Sequence, residues 1–251
     1  MVAKLFKNKG VDYIFDHHDI CPELYEAKFG KTSGMFYKSQ LWLERQTYKH
    51  CKFAFVTNES YKKIAIERGG MKPEDVFVLR SGPKLERLKI QAPKNEIKRG
   101  KKFMVGYLGV IGQQEGIEYL LKAAKYIKEL PGKNDVFWGI VGGGPDVEHM
   151  KKLSHDMGLD DIVEFTGRVP DQTLLDYLNT ADVCVNSDEY NAMNDKSTMN
   201  KVLEYMALGK PLVQFDLTEG RYSAQEASLY AKRNDAEDMA KKILELLDNP
   251  E

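Results

Sequence analysis

The chain has 251 residues, enough for one large domain or two modest ones that each bury a core. Its 37 basic and 38 acidic side chains nearly cancel, so no overall field recruits nucleic acid or an anionic membrane. No apolar run approaches the roughly 18 residues of a membrane span, and the first residues lack a signal-peptide core. Three cysteines, Cys21, Cys51 and Cys184, share no metal-like spacing, which fits a reducing, cytosolic compartment. Peripheral contact with the inner face of a membrane stays open.

Strand and helix signals alternate along the chain. The apolar run Val11–Phe15 predicts a buried strand, ending in a polar loop that starts at Asp16-His17-His18-Asp19. A helix is expected over Ser39–His50, a strand over Lys52–Val56, a helix over Ser60–Glu67 closed by Gly69-Gly70, and a strand over Val76–Leu79. Residues 84–102 are lysine-rich with little apolar periodicity and read as an interdomain linker. The second stretch predicts strands at Phe103–Leu108, Val136–Val141, Ile162–Phe165, Val183–Val185 and Pro211–Gln214. Helices are expected between them at Ile117–Leu130, Val147–Met157, Thr173–Leu178 and Thr198–Leu208, with a last one at Ala236–Leu247. Repeated βα units imply parallel sheets with the ligand crevice beyond the strand carboxyl ends. The fold class is therefore α/β with two Rossmann-like domains, over residues 1–83 and 103–251. The first lacks the strands expected before Val11 and reads as incomplete.

The most informative stretch runs from Asn194 through Asp195, Lys196 and Ser197 to Ala207, followed by Gly209-Lys210-Pro211. Ser197 is suited to cap a helix whose opening residues Thr198, Met199 and Asn200 present unpaired backbone N–H groups to a phosphate. Lys201 adds charge in the first turn. Glu204, four residues after Asn200, places a carboxylate one turn deeper on the same face, where it could accept hydrogen bonds from a ribose diol. The same pattern also suits a capped surface helix with no ligand.

The run Glu204-Tyr205-Met206-Ala207-Leu208-Gly209-Lys210-Pro211 resembles the donor helix of the retaining GT-B glycosyltransferases of family 4, the glycosyl transferases group 1. The family carries Glu-x7-Glu before an Ala-x-Gly-x-Pro turn. Its second glutamate falls on Glu204 and its first on Lys196, so the usual carboxylate at the transferred sugar is missing, with Asp195 or Asn194 next to it as the candidate substitutes. The family's Gly-Arg-x4-Lys-Gly diphosphate loop falls on Gly109–Gly116, with Val110 and Glu115 in place of both cations; Gly109 and Gly112 still allow close backbone approach. Lys196, Lys201 and Arg80 are the candidates to replace the lost charge. Gly142-Gly143-Gly144-Pro145 is similar to the family's Gly-x-Gly-Pro turn, and Phe165–Pro170, with Val169, to the segment that reads the nucleobase. The loop holding His18 is similar to the family's histidine loop at the reacting centre, and Arg221 lies in a loop that could reach a phosphate.

What the resemblance implies is transfer of a sugar from a nucleoside-diphosphate donor of UDP or GDP type, with retention and without metal or other cofactor. The acceptor would be a glycan or lipid-linked glycan of surface polysaccharide assembly. Catalytic roles then fall to His18, Asp195 and Lys196, and donor binding to Gly109, Gly112, Val169, Ser197, Thr198, Met199, Asn200, Lys201 and Glu204. Two other readings stand beside it: a nucleotide-sugar-binding fragment without turnover, and a GT-B-like sugar-nucleotide epimerase. No Gly-x-Gly-x-x-Gly follows the first strand of either domain, which argues against a nicotinamide dehydrogenase.

Overall fold

The computed structural model describes residues 10–249. The chain divides into two compact units. One runs up to Ser81 and includes Asn191–Thr198; the other takes Gly82–Tyr190 and Met199 onward.

The first unit holds strands β1 (Ile14–His17), β2 (Phe53–Val56) and β3 (Val76–Val78), with helices α1 (Cys21–Phe29), α2 (Met35–His50) and α3 (Glu59–Glu67). All pairings are parallel, in the order β1-β2-β3. The first strand lies later than Val11–Phe15 and takes in His17. Helix α1 follows directly on the polar run Asp16–Asp19, where the sequence shows no helix signal. Pro22 sits at the start of the helix, where its missing N–H costs nothing and its fixed φ favours the first turn.

His17 is a core residue, 3% exposed, packed with Tyr48, Tyr61 and Phe15. Its Nε2 lies 3.1 Å from the Asp19 carbonyl oxygen and its Nδ1 2.5 Å from the Tyr48 hydroxyl. The carbonyl can only accept, so Nε2 carries the proton and Nδ1 accepts from the phenol. Burial pushes the imidazole down to about 4 from the ordinary 6.5. Between these values the unfolded chain binds a proton that the folded chain refuses. The stability due to neutral His17 is thus complete above the unfolded value and is lost as pH falls from about 6.5 toward 4, by on the order of 3 kcal/mol. Urea unfolding of the first unit should become easier across that window, and His17→Gln should flatten the slope.

The second unit has six parallel strands: β4 (Phe103–Leu108), β5 (Val136–Val141), β6 (Val163–Gly167), β7 (Val183–Asn186), β8 (Leu212–Phe215) and β9 (Leu229–Ala231). Its helices are α4 (Ile117–Glu129), α5 (Val147–Asp156), α6 (Asp171–Thr180), α7 (Asn200–Ala207), α8 (Thr218–Ala224) and α9 (Ala236–Asp248). The strand order β6-β5-β4-β7-β8-β9 reverses direction between β4 and β7, the doubly wound arrangement. Strands β5, β7 and β8 are buried at every residue, as parallel strands covered on both faces must be. One core packs α4 and α9 on the sheet through Leu120, Leu121, Ala124, Ile127, Met239 and Ile243; the other packs α6 and α7 through Leu175, Leu178, Val202 and Tyr205.

Residues 84–102, expected as linker, dock on the second unit. Leu88 is buried in the core beside α6. Arg87 pairs with Asp171, Lys94 with Asp176 and Lys98 with Asp182, while Asn179 and Thr180 side chains accept the backbone N–H groups of Gln91 and Lys94. The lysines that suggested solvent are half of an ion-pair ladder whose acidic half lies about eighty residues on. Helix α8 falls where a loop was expected, because Gly220 masks it; a Cβ there would sit 2.6 Å from Gln214 Oε1. Strand β9 is three residues long and carries no pattern of its own.

Candidate functional site

The carboxyl ends of β4 and β7 mark the reversal of strand order in the second unit, where doubly wound sheets bind ligands. Tyr205 ties these ends together: its hydroxyl accepts the Leu108 N–H at 2.8 Å and donates to the Val185 carbonyl at 3.3 Å. Beyond β4 the chain turns through Gly109 and Gly112 into Glu115. Gly116 packs against the end of β7 so closely that a Cβ would meet Ser187 O at 2.0 Å. The Gly142 turn presses on the same loop. Its φ is +141°, and a Cβ there would lie 1.8 Å from Gly109 O. Gly142→Ala must push β5 off the Gly109 turn and should cost about 3 kcal/mol or more. Gly82→Ala, where the added carbon meets nothing, should be nearly neutral in the same denaturant titration.

Lys201 stands over the Gly109 turn. Its Cε is 3.3 Å from where a Cβ on Gly109 would be, and its ammonium sits 5.0 Å from the centre of the Tyr107 ring. The Nζ donates to Asp188 Oδ1 at 2.8 Å and lies 3.4 Å from the Tyr107 hydroxyl. A cation missing from the loop at Val110 is thus supplied to the same turn from helix α7. Burial, then the charges of Asp188 and Glu115, raise the Tyr107 phenol well above its ordinary value. Tyr107 and Asp188 went unnoticed in the sequence because each reads as an ordinary residue of a buried strand or its end.

Helix α7 begins at Asn200, two residues later than expected, and no side chain caps it. Ser197 is not the N-cap. Its hydroxyl donates instead to Met193 O at 2.8 Å, and Ser197 closes the short turn Asn194–Lys196. Met199 takes the cap position, and Asn200 is exposed in the first turn. Glu204 is half-buried, and its carboxylate makes no hydrogen bond with any described residue. Burial pushes that carboxyl up; Arg87 pulls it down and Asp171 pushes it up again. Val169 is half-buried just past the end of β6. Arg221 pairs with Asp216 at 2.7 Å and stacks over Tyr230.

The first unit gathers the remaining candidates. Asn58 caps α3 by accepting the Tyr61 N–H, and its fully buried amide donates to Lys196 O at 2.8 Å and Thr198 Oγ1 at 3.1 Å. Arg80 donates to Thr198 Oγ1 at 3.3 Å, and the Tyr61 hydroxyl lies 3.3 Å from Ser197 Oγ. Asn58 and Tyr61 carried no functional signal; an N-cap asparagine is so common that its second bond pair is invisible in the sequence. Lys196 donates to Ala192 O at 2.8 Å and lies 3.9 Å from Glu23. Asp195 is half-buried in the same turn. His18 is exposed and pairs with Asp16 at 2.9 Å, whereas its neighbour His17 is enclosed.

Residues 102–249 match the profile of the glycosyl transferases group 1. The chain belongs to that family. An uncharacterized glycosyltransferase of Haemophilus influenzae is 28% identical over 163 residues, 63% of this chain and 43% of that protein. The fold resembles solved GT-B glycosyltransferases. Sucrose-phosphate synthase from Thermosynechococcus elongatus overlays with a TM-score of 0.77 at 18% identity, covering 98% of this chain and 62% of that one. HepE of Anabaena, solved in complex with UDP and glucose, also overlays with a TM-score of 0.77, at 15% identity over 99% of this chain and 65% of its own. The chain therefore spans less than two thirds of each of these relatives.

Proposed function

We propose that this member of the group 1 family transfers a sugar from a UDP- or GDP-type donor to a glycan or lipid-linked acceptor, with retention at the anomeric carbon, in surface polysaccharide assembly. The observation that carries the reading is Glu204. A half-buried carboxylate that no described residue hydrogen-bonds, one turn below the uncapped amides of α7, is free to accept from a diol. The family resemblance and HepE's complex with UDP point the same way.

In this proposal the second unit binds the donor. Glu204 takes the ribose hydroxyls, the amides of Met199 and Asn200 with Gly109 and Gly112 face the diphosphate, and Val169 borders the base. Lys201 stabilises the negative charge that grows on the diphosphate as its bond to the sugar breaks. The acceptor oxygen bonds to the anomeric carbon on the face the diphosphate leaves, and its proton passes to the departing phosphate oxygen. Ser197 and Thr198 continue the amide run toward the phosphates, and His18, Asp195 and Lys196 are assigned to the transferred sugar. The first unit is assigned to the acceptor.

Calorimetric titration of the folded chain with UDP, GDP and ADP tests the donor site. Selective binding of one nucleotide is expected; binding of none overturns it. The anomeric proton coupling of the transferred sugar tests retention, and an inverted product would refute it.

A further inference from the structure

The turn that faces the proposed diphosphate carries a carboxyl group whose enclosed oxygen has no donor. Glu115 folds back over Gly112, and its Oε2 lies 2.8 Å from where a Cβ on Gly112 would sit. That oxygen is buried without a hydrogen-bond partner, and Oε1 has only Gln114 Nε2 at 3.5 Å. The turn is held at the end of β7, where Ser187 Oγ donates to the Glu115 carbonyl at 2.9 Å. Three ionisable groups of neighbouring elements act on the carboxyl or feel its charge: Asp188 just past β7, Lys201 of α7 and Tyr107 of β4. Lys201, the cation of the three, is engaged with Asp188 Oδ1 at 2.8 Å.

A buried carboxylate short of donors is costly as an anion, and a proton relieves that cost. Burial pushes the Glu115 carboxyl up, Asp188 adds to the push and Lys201 opposes it. A diphosphate at this turn brings more negative charge and strengthens the push. Ionised, Glu115 repels such a ligand; neutral, it becomes a donor. A diphosphate offers acceptors only, and an O–H bonded to an anionic oxygen is among the stronger hydrogen bonds. The family's lysine at this position is also a donor toward the diphosphate. Glu115 in its acid form restores the donor without the charge.

We propose that Glu115 binds the donor diphosphate as a neutral acid, its O–H donating to a phosphate oxygen, so that nucleotide and a proton bind together. The proposal rests on the donor-site reading above and keeps to the metal-free transfer that the family resemblance implies. The proton comes from solvent, and no bond of the nucleotide forms or breaks. Because the complex holds more protons than the free site, affinity falls as pH rises.

The test is calorimetry with UDP, GDP and ADP in buffers of differing ionisation enthalpy, on the wild type, Glu115→Gln and Glu115→Ala, each first shown to be folded by its thermal melt. For the preferred nucleotide, wild-type proton uptake should exceed that of Glu115→Gln by roughly half to one proton. The variant corrects for protons exchanged by the phosphate itself. Between about pH 6 and about pH 8, wild-type affinity should fall at least about tenfold relative to Glu115→Gln, whose amide donates at every pH. At the upper end Glu115→Gln should bind more tightly than the wild type. Glu115→Ala, with no donor, should bind more weakly than Glu115→Gln throughout and share its pH profile. Equal proton uptake and parallel pH profiles for the wild type and either folded variant would overturn the acid role while leaving the donor site intact. No binding of any nucleotide at any pH would overturn both.

Discussion

Glu204→Ala should weaken nucleotide binding by about 10- to 100-fold while leaving the melting temperature unchanged or slightly higher. A charged acceptor in a hydrogen bond contributes about 1.5–3 kcal/mol, and the proposed ribose diol offers two such bonds. No described residue hydrogen-bonds this carboxylate, and the pull of Arg87 on it does not outweigh its burial. Its raised pKa means that the folded state holds the proton more tightly than the unfolded state. Ionised Glu204 therefore lowers stability as pH rises through that window, and its removal relieves the cost. Alanine is also the better helix former in α7. Calorimetry beside a thermal melt separates the outcomes. Lost binding with an intact melt supports a ligand role; a fall in both would make Glu204 a structural residue.

Arg68→Ala should destabilise the first unit by about 3–5 kcal/mol, the scale for removing one partner of a buried ion pair. Arg68 follows α3 and reaches two other helices. Its guanidinium donates to Glu23 of α1 at 2.7 and 3.1 Å and to Glu44 of α2 at 2.6 and 2.7 Å. Both carboxylates are less than a tenth exposed. Without Arg68 they face each other buried, with only the more distant charges of Lys196, 3.9 Å from Glu23, and of Arg45, which acts on Glu44, to offset them among the described residues. Burial already raises the Glu44 carboxyl against the pull of Arg68, so loss of the arginine should drive proton uptake. Denaturant unfolding followed near Trp42 would show the loss. Combining Arg68→Met with Glu23→Leu and Glu44→Leu should recover most of it, as apolar replacements of whole buried ion clusters do. No change in the midpoint for Arg68→Ala would mean that water already solvates the carboxylates.

The alternation of apolar runs with amphipathic segments was enough to predict two sets of parallel strands, since a strand covered on both faces has to be apolar throughout. Val136–Val141 shows this plainly: the six residues are buried in the structure and were an unbroken apolar run in the sequence. Short or interrupted elements were not legible. Helix α1 hides behind Pro22, α8 behind Gly220, and β9 is too short to show a period. The lysine-rich stretch 84–102 misled because charge reads as solvent unless its partners are known, and Asp171, Asp176 and Asp182 are far away in the chain.

For the site, the amino-acid sequence by itself determined that the strands β4 and β7 end in glycine-bearing and polar turns and that a helix carrying Lys201 and Glu204 follows, though not where that helix starts. It also showed the loss of two cations at Val110 and Glu115. Only the tertiary structure decided where charge went. It set Lys201 over the Gly109 turn, turned Ser197 away from the helix it was expected to cap, and enclosed His17 rather than His18. It also left Glu115 Oε2, Asn186 Oδ1 and Asp188 Oδ2 buried without donors among the described residues. The physical reason is common to all of these. Periodicity reports burial along one element, whereas hydrogen bonds and ion pairs at a site join residues from several elements whose distances the folded chain alone sets.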